Sequence, residues 1–264
     1  MKSNRKLGLK KEDVFKVFFS PLRRKDAKNI IMNFYLFAPL RLSGKRNRRT
    51  IQNISICLIS AIFILSMLNG FSQAGFTRMK NPQQFSRSLA ETTQTTNTIE
   101  SKFVQEKNLS VISEKIITRG IFYFKKENKL RWEYTDPFRY LIIMNGDKVL
   151  IKDEKQENRF DAASNKVFSE INSIMVGSIR GTILNENKKF NIDYQENTEF
   201  NLVKLIPLSP QLKVFIAEIR IFFNKVNYSV SRLEIEEPSG DFTKIEFSGL
   251  KINTPVSDEN FSVR

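Results

Sequence analysis

The chain contains no histidine and a single cysteine, Cys57, and these two scarcities remove most catalytic and cross-linking chemistries at the outset. Without imidazole there is no Ser-His-Asp or Cys-His arrangement, and a zinc site built from the usual nitrogen and sulfur ligands has no material. A lone cysteine closes no intrachain disulfide, so no loop of the fold is stapled. Glycine (10) and proline (8) are sparse in 264 residues, and no Gly-rich or Pro-rich linker divides residues 75–264. That stretch reads as one domain.

Charge is present but unevenly placed. Residues 1–74 carry 15 Lys/Arg against 3 Asp/Glu, net +12, whereas residues 75–264 carry 28 against 25, net +3. The overall +15 and the pI near 9.8 are therefore properties of the N-terminal segment. Clustered cations on a folded surface would point to nucleic acid. A nearly neutral folded part does not.

The N-terminal segment reads as a targeting sequence. A cationic block, GKRNRRT, precedes the apolar stretch ISICLISAIFILSML at residues 54–68, and Ser72 and Ala74 follow in the small-x-small arrangement that a signal peptidase accepts. Fifteen residues rise only about 22 Å as a helix, short of the roughly 30 Å hydrocarbon core, so the stretch suits a cleaved signal better than an anchor. Residues 45–74 are thus expected to be removed after Ala74, leaving the chain in the periplasm. Cys57 lies inside the apolar stretch behind Ile56, where lipid attachment does not occur. Residues 1–44 form a basic extension, best explained by a start placed upstream, with Met32 as an internal alternative.

From residue 75 on, the pattern is mostly that of strands. Asn81, Pro82 and Gln84 have the spacing of a capped helix over 82–95 with a thin apolar face of Phe85 and Leu89. Strand-like alternation follows in IESKFVQEKNL, EKIITRGIFYFKKE, KLRWEY, RYLIIMN, DKVLIKDE and ENRFDAA. An amphipathic helix interrupts it, with Val167, Phe168, Ile171, Ile174, Met175 and Ile179 at three- and four-residue spacing and Gly181 near its end. Alternation returns in KFNIDYQE, FNLVKLIPL, VFIAEIRIFFNK at 214–225, YSVSRLEIEE and DFTKIEFSGL. A two-residue turn at Asn145 and Gly146 would pair Ile142 with Val149 and Tyr140 with Ile151. A three-residue turn at Pro238, Ser239 and Gly240 pairs Leu233 with Ile245, Glu234 with Lys244 and Arg232 with Glu246. Leu130, Trp132 and Tyr134 share one face of their strand while Lys129, Arg131 and Glu133 share the other, so one face of the sheet is wet and one is not.

About eleven antiparallel strands in a meander cannot stay flat, because strand twist accumulates. The expected fold is mainly β, an unclosed, strongly curved half-barrel with the amphipathic helices as its cover. The carboxylate pairs in KDE and EIEEPSGD sit at turns or alternate with cations, as solvated surface does. NGDK and PSGD are turns rather than phosphate loops, since neither opens a helix. The aromatic and basic interleaving of FYFKKENKLRWEY could stack single-stranded nucleic acid, but an export signal and a nearly neutral domain argue against it. No catalytic residue, metal site or cofactor is expected.

Three segments carry a family resemblance: GIFYFKKENKLRWEYTDP from Gly120, the following LIIMNGDKVLI, and the C-terminal FTKIEFSGLKINTPVSDENFSV. Together they resemble the periplasmic outer-membrane lipoprotein carrier family, LolA-like, over residues 99–263. The resemblance implies an eleven-stranded unclosed barrel with helices as a lid over a hydrophobic cavity. It also implies a monomeric carrier that takes acylated lipoproteins from an inner-membrane releasing transporter to an outer-membrane acceptor. Some members carry a Lys-Arg-Pro run whose Arg holds the lid closed. Here Lys126 stands at the Arg position and Glu127 at the Pro position, and a lysine lacks the forked guanidinium contact, which leaves Arg131 a different role. The cavity set expected on this reading is Leu130, Trp132, Tyr134, Tyr140, Ile142, Val149, Ile151, Ile219, Ile221 and Phe223 from the sheet, with Ile171, Ile174 and Met175 from the inserted helix. Two alternatives stay open: a carrier of another amphiphile, such as a glycolipid or lipid-linked pigment, and an envelope sensor or scaffold that binds a regulatory protein.

Overall fold

The structure, a computed structural model, describes residues 75–110, 115–126, 128–164, 166–186 and 188–263, apart from the side chains of residues 166–168, 171 and 172. The basic extension and export signal expected in residues 1–74 lie outside the described residues. So do Glu127 and the side chains of Val167, Phe168 and Ile171.

Antiparallel pairing generates the scaffold. The strands are β1 (Thr77–Arg78), β2 (Thr98–Asn108), β3 (Lys115–Lys125), β4 (Lys129–Asp136), β5 (Tyr140–Asn145), β6 (Lys148–Asp153) and β7 (Glu157–Asp161), then β8 (Phe190–Glu196), β9 (Phe200–Pro207), β10 (Glu218–Asn224), β11 (Val230–Glu236) and β12 (Phe242–Ile252). They form one twelve-stranded sheet in the order β1-β8-β9-β10-β11-β12-β2-β3-β4-β5-β6-β7. Two meanders are thus joined where β12 pairs with β2, setting Phe247 opposite Phe103 and Ile245 opposite Gln105. The strand beyond the eleven expected is β1, whose two residues pair with Glu196 and Gln195 and are too few to carry an alternation. The sheet ends at β1 and β7 without closing on itself.

Among the described residues three α-helices accompany it: α1 (Pro82–Thr95), α2 (Lys166–Ile179) and the single turn α3 (Pro210–Lys213). The connections explain where α1 and α2 lie. The chain leaves β1 at one edge and must reach β2 in mid-sheet, and it leaves β7 at the other edge and must return to β8. Each helix rides on one of these crossings. At the start of α1 the Asn81 Oδ1 accepts the Gln84 N–H at 3.1 Å, the cap that the spacing implied, while Gln84 Oε1 accepts from the Asn81 side-chain Nδ2 at 3.2 Å in place of the backbone N–H of a full capping box. The strand expected from residue 214 starts late, because α3 ends at Lys213 and runs on into a turn over residues 214–215. Ser209 Oγ accepts the Leu212 N–H at 3.3 Å and Pro210 opens the turn, so pairing resumes only at Glu218.

The covered face of the sheet holds the main core. Leu130, Tyr134, Ile142, Val203, Leu205, Ile219, Ile221, Phe223 and Ile245 expose none of their surface to solvent, at about 1.5–3 kcal/mol of burial free energy for each aliphatic side chain. The opposite face is mostly charged, with Arg220 reaching Glu218, Glu234 and Glu236, and Lys244 reaching Glu106. One region departs from the wet-and-dry expectation. Ile143 and Leu150 point away from the main core yet are buried, because residues 253–263 cross the outside of the sheet and place Val256 and Phe261 on them. Arg131 Nη1 donates to the Asn260 carbonyl, Asn145 Nδ2 donates to the Phe261 carbonyl, and Asp258 takes Lys125 and Lys129, which ties this strap down.

The second predicted hairpin has the expected register: Leu233 faces Ile245, Glu234 faces Lys244 and Arg232 faces Glu246. Gly240 at φ +83 closes its three-residue turn. The first does not. Tyr140 pairs with Asp153, Ile142 with Ile151 and Met144 with Val149, two residues from the pairing expected. Gly146 at φ +59 takes the first central position of a Gly-X turn with Asp147, whereas an Asn-Gly turn would need Asn145 itself at positive φ. An even slip preserves the faces, so Ile142, Val149 and Ile151 still point inward.

Gly120 is fixed by close approach. A Cβ there would lie 2.0 Å from the Glu133 carbonyl oxygen and 2.5 Å from the Phe103 ring, at a register shift between β3 and β4. Gly120→Ala is expected to cost about 1–3 kcal/mol through overpacking. For a domain of this size the melting temperature should fall by several degrees. Calorimetry checks this, and an unchanged melting temperature would contradict the packing described.

Candidate functional site

Between the two helices and the sheet runs a groove of about 740 Å³ counted out to its open mouth. Its floor is apolar: Ile99 from β2, Phe122 from β3, Trp132 from β4, Leu233 from β11 and Phe247, Leu250 and Ile252 at the end of β12. Thr92, Thr93 and Thr96 of α1 and Met175, Ser178 and Ile179 of α2 form the other wall. Asn227, Tyr228 and Ser229 stand beside them in the turn between β10 and β11. None of the described lining residues is an Asp, Glu, Lys or Arg.

Trp132 anchors the floor. Its ring lies 4.6 Å from Phe103, 5.4 Å from Phe122 and 6.0 Å from Phe247 between centroids, the last two edge-to-face. Beneath this cluster the Tyr134 hydroxyl donates to Gln105 Oε1 at 3.0 Å, and burial pushes its phenol far above the usual range, so it stays protonated.

Both ends of α1 are held. At its start, Glu196 Oε1 accepts the Lys80 N–H at 2.9 Å while Glu196 Oε2 takes Lys225 Nζ at 2.7 Å. Phe85 then packs edge-to-face on Phe223 at 5.5 Å. At its end, Lys126 Nζ donates to the Gln94 carbonyl and Asn253 Nδ2 donates to the Thr95 carbonyl at 3.0 Å. Asn253 also accepts the Asn97 N–H at 2.7 Å through Oδ1, with its own backbone at φ +58. Orphan carbonyls of a helix C-terminus thereby find donors, one of them a cation suited to the helix dipole. Leu89 of α1 fits against Gly181, where a Cβ would lie 2.8 Å from Leu89 Cγ, and Arg180 donates to Asn128 Oδ1 at 3.3 Å.

Of the cavity residues expected from the sequence, Trp132 and Met175 line the groove. Leu130, Tyr134, Tyr140, Ile142, Val149, Ile151, Ile174, Ile219, Ile221 and Phe223 belong to the same buried cluster but not to the groove wall, and the Ile171 side chain lies outside the description. Lys126 reaches α1 as a point contact in place of a fork. Arg131 lies on the opposite face, paired with Glu133 and the strap. Phe122 and Phe247 were within reach of sequence reasoning, since Phe247 shares the parity of Ile245 and Phe122 faces Trp132 across the strand pair. The threonines of α1 were not, because a polar helix face reads as solvent-facing.

Lys225, with the Lys80 backbone N–H, holds the Glu196 carboxyl below its usual value of 4.5. A lowered carboxyl pKa favours the anchored form above that value and loses its contribution as pH falls through the depressed one. Amide exchange in the first turns of α1, corrected for intrinsic rates, should rise as pH falls from the usual carboxyl range through the depressed value. In Glu196→Gln it should be raised throughout and flat over that range. A wild-type profile as flat as the variant's would contradict the anchoring role.

Residues 94–264 match the family described as Outer membrane lipoprotein carrier protein LolA. The chain is 27% identical over 148 residues to the outer-membrane lipoprotein carrier protein of Francisella tularensis subsp. tularensis (strain SCHU S4 / Schu 4), covering 56% of this chain and 67% of that one. It is 26% identical over 133 residues to the protein of the same name from Xanthomonas oryzae pv. oryzae (strain MAFF 311018), covering 50% and 61%. Among solved structures it is similar to a LolA superfamily protein from Nitrosomonas europaea, with 12% identity, a TM-score of 0.37 and coverage of 68% and 96%. It is also similar to a chain of the Pseudomonas aeruginosa MucA/MucB complex, with 10% identity, a TM-score of 0.41 and coverage of 69% and 60%. An open antiparallel half-barrel and a family match across most of the domain agree: the chain belongs to the LolA family of outer-membrane lipoprotein carriers.

Proposed function

We propose that this chain is a periplasmic carrier that receives the acyl chains of lipoproteins in the groove beneath α1 and α2. In this reading it takes them from an inner-membrane releasing transporter and delivers them to an outer-membrane acceptor. The observation that carries the reading is an apolar groove free of charged side chains among its described lining residues, in a chain of this family. The physical need is a large one: each exposed methylene costs about 0.8 kcal/mol, so a chain of about fifteen leaves roughly 12 kcal/mol to be offset while it crosses water.

Geometry sets how such a carrier would work. In this reading the helices part from the floor to admit a chain and settle back when it leaves, so that little apolar surface meets water without cargo. The free energy of opening also lowers net affinity, which permits release.

Native mass spectrometry of the chain purified from periplasm after co-expression with a lipoprotein tests the proposal. A bound acylated protein is the expected result. A free lipid would point to a carrier of another amphiphile, and a chain that returns empty would leave the groove as unfilled core and favour a protein partner. Trp132→Glu, which places a carboxylate in the floor, should abolish cargo binding. Leu250→Glu, at a half-buried position where a carboxylate can hydrate, should reduce it at least tenfold while leaving the fold intact by circular dichroism. Full cargo binding by both variants would overturn the assignment of the groove.

A further inference from the structure

Trp132 is the sole tryptophan of the chain, and it brings a hydrogen-bond donor to the apolar floor of the groove. The residue is 2% exposed, and its Nε1 is buried with no hydrogen-bond partner. Burial raises the pKa of the Tyr134 phenol and the neighbouring indole acts against that shift, yet no hydrogen bond joins the two side chains. The Tyr134 proton goes to Gln105 instead. Other polar groups of the lining are provided for. The hydroxyls of Thr93, Thr96 and Ser178 donate to carbonyls within their own helices. Asn227 is exposed and Tyr228 half-buried, so water reaches both. Among the described lining residues, Trp132 alone has a buried side-chain polar atom left unpaired.

A buried donor without an acceptor carries the desolvation cost of the group with nothing to offset it. Indole nitrogen can only donate, so what would relieve it is an acceptor. The rings packed around it, Phe103, Phe122 and Phe247, supply no oxygen. In a cargo that is otherwise hydrocarbon, the acceptor at the head of each acyl chain is the carbonyl of its linkage. Esters and amides both carry that oxygen, whereas alkyl ethers and polyprenyl chains do not. Resting on the carrier reading above, we propose that the Trp132 Nε1–H is a specificity-determining donor that binds the acyl carbonyl of the cargo. The groove then selects acyl chains, ester- or amide-linked alike, over alkyl and polyprenyl chains of the same length. The indole has two tasks on this reading: its ring meets hydrocarbon as the rest of the floor does, and its N–H fixes how deep the chain sits.

Competition against a bound fluorescent fatty acid tests this on the purified chain with 1-palmitoylglycerol and 1-O-hexadecylglycerol, which differ only in the carbonyl oxygen. The ester should compete roughly three- to tenfold better, the span that one neutral hydrogen bond supplies. With a single tryptophan, the ¹⁵N-labelled chain gives one indole N–H resonance, which should move further downfield with the ester than with the ether. An N-palmitoyl peptide, whose amide carries the same carbonyl, should shift it as the ester does. Trp132→Phe should level the two affinities by lowering that of the ester. Equal competition by ester and ether on the wild-type chain would overturn the inference and leave the carrier reading intact. So would an indole resonance displaced equally by both, an amide that behaves as the ether does, or a preference that survives in Trp132→Phe. If none of the probes displaces the fatty acid, the carrier reading fails and the inference fails with it.

Discussion

An open sheet of twelve strands has one apolar face that cannot be left in water, and every other feature of this domain answers that constraint. Closure into a barrel would solve it by removing both edges, but β1 and β7 end the sheet unpaired with one another. The two long crossings, from β1 to β2 and from β7 to β8, are therefore the segments available to cover the face. Each carries a helix. α1 presents a thin apolar face of Phe85 and Leu89, and Ile174 and Met175 are buried on α2. A helix with so thin an apolar face as α1 covers an inner surface without filling it, and a groove is the remainder.

How the cover is attached bears on what it can do. α1 is pinned through Glu196 at its start and through Lys126 and Asn253 at its end, so both ends are tied to strands. Just beyond the end of α2, Gly181 seats Leu89 of α1 and Arg180 donates to Asn128 Oδ1. At Lys126 a compact ammonium reaches one carbonyl of α1, where a forked guanidinium could engage several acceptors.

Much of the architecture was legible because period-two alternation survives in nearly every strand, and because the cap of α1 and the turn at Gly240 have strict residue requirements. The failures have separate physical causes. The hairpin at Gly146 was displaced by two residues since one glycine can serve either of two turn types, and only the φ of Asn145 decides between them. The buried outer face at Ile143 and Leu150 depends on a strap more than a hundred residues away in sequence, which no local pattern announces. The groove itself was only partly legible. Burial follows from alternation, so the core residues were found. Which of them border a void depends on how closely the helices settle, and the threonines of α1 looked like solvent-facing positions.

The central claim is that the covered face is a container whose helical cover lifts to admit chains. Spin labels at Ser173 on α2 and Ser248 on β12, both exposed, in a chain with Cys57 replaced by serine, would report the separation of cover and floor by double electron–electron resonance. The account predicts a distance distribution that shifts to longer values and narrows when an N-palmitoyl peptide is bound. A distribution unchanged by a saturating amount of bound peptide would contradict it.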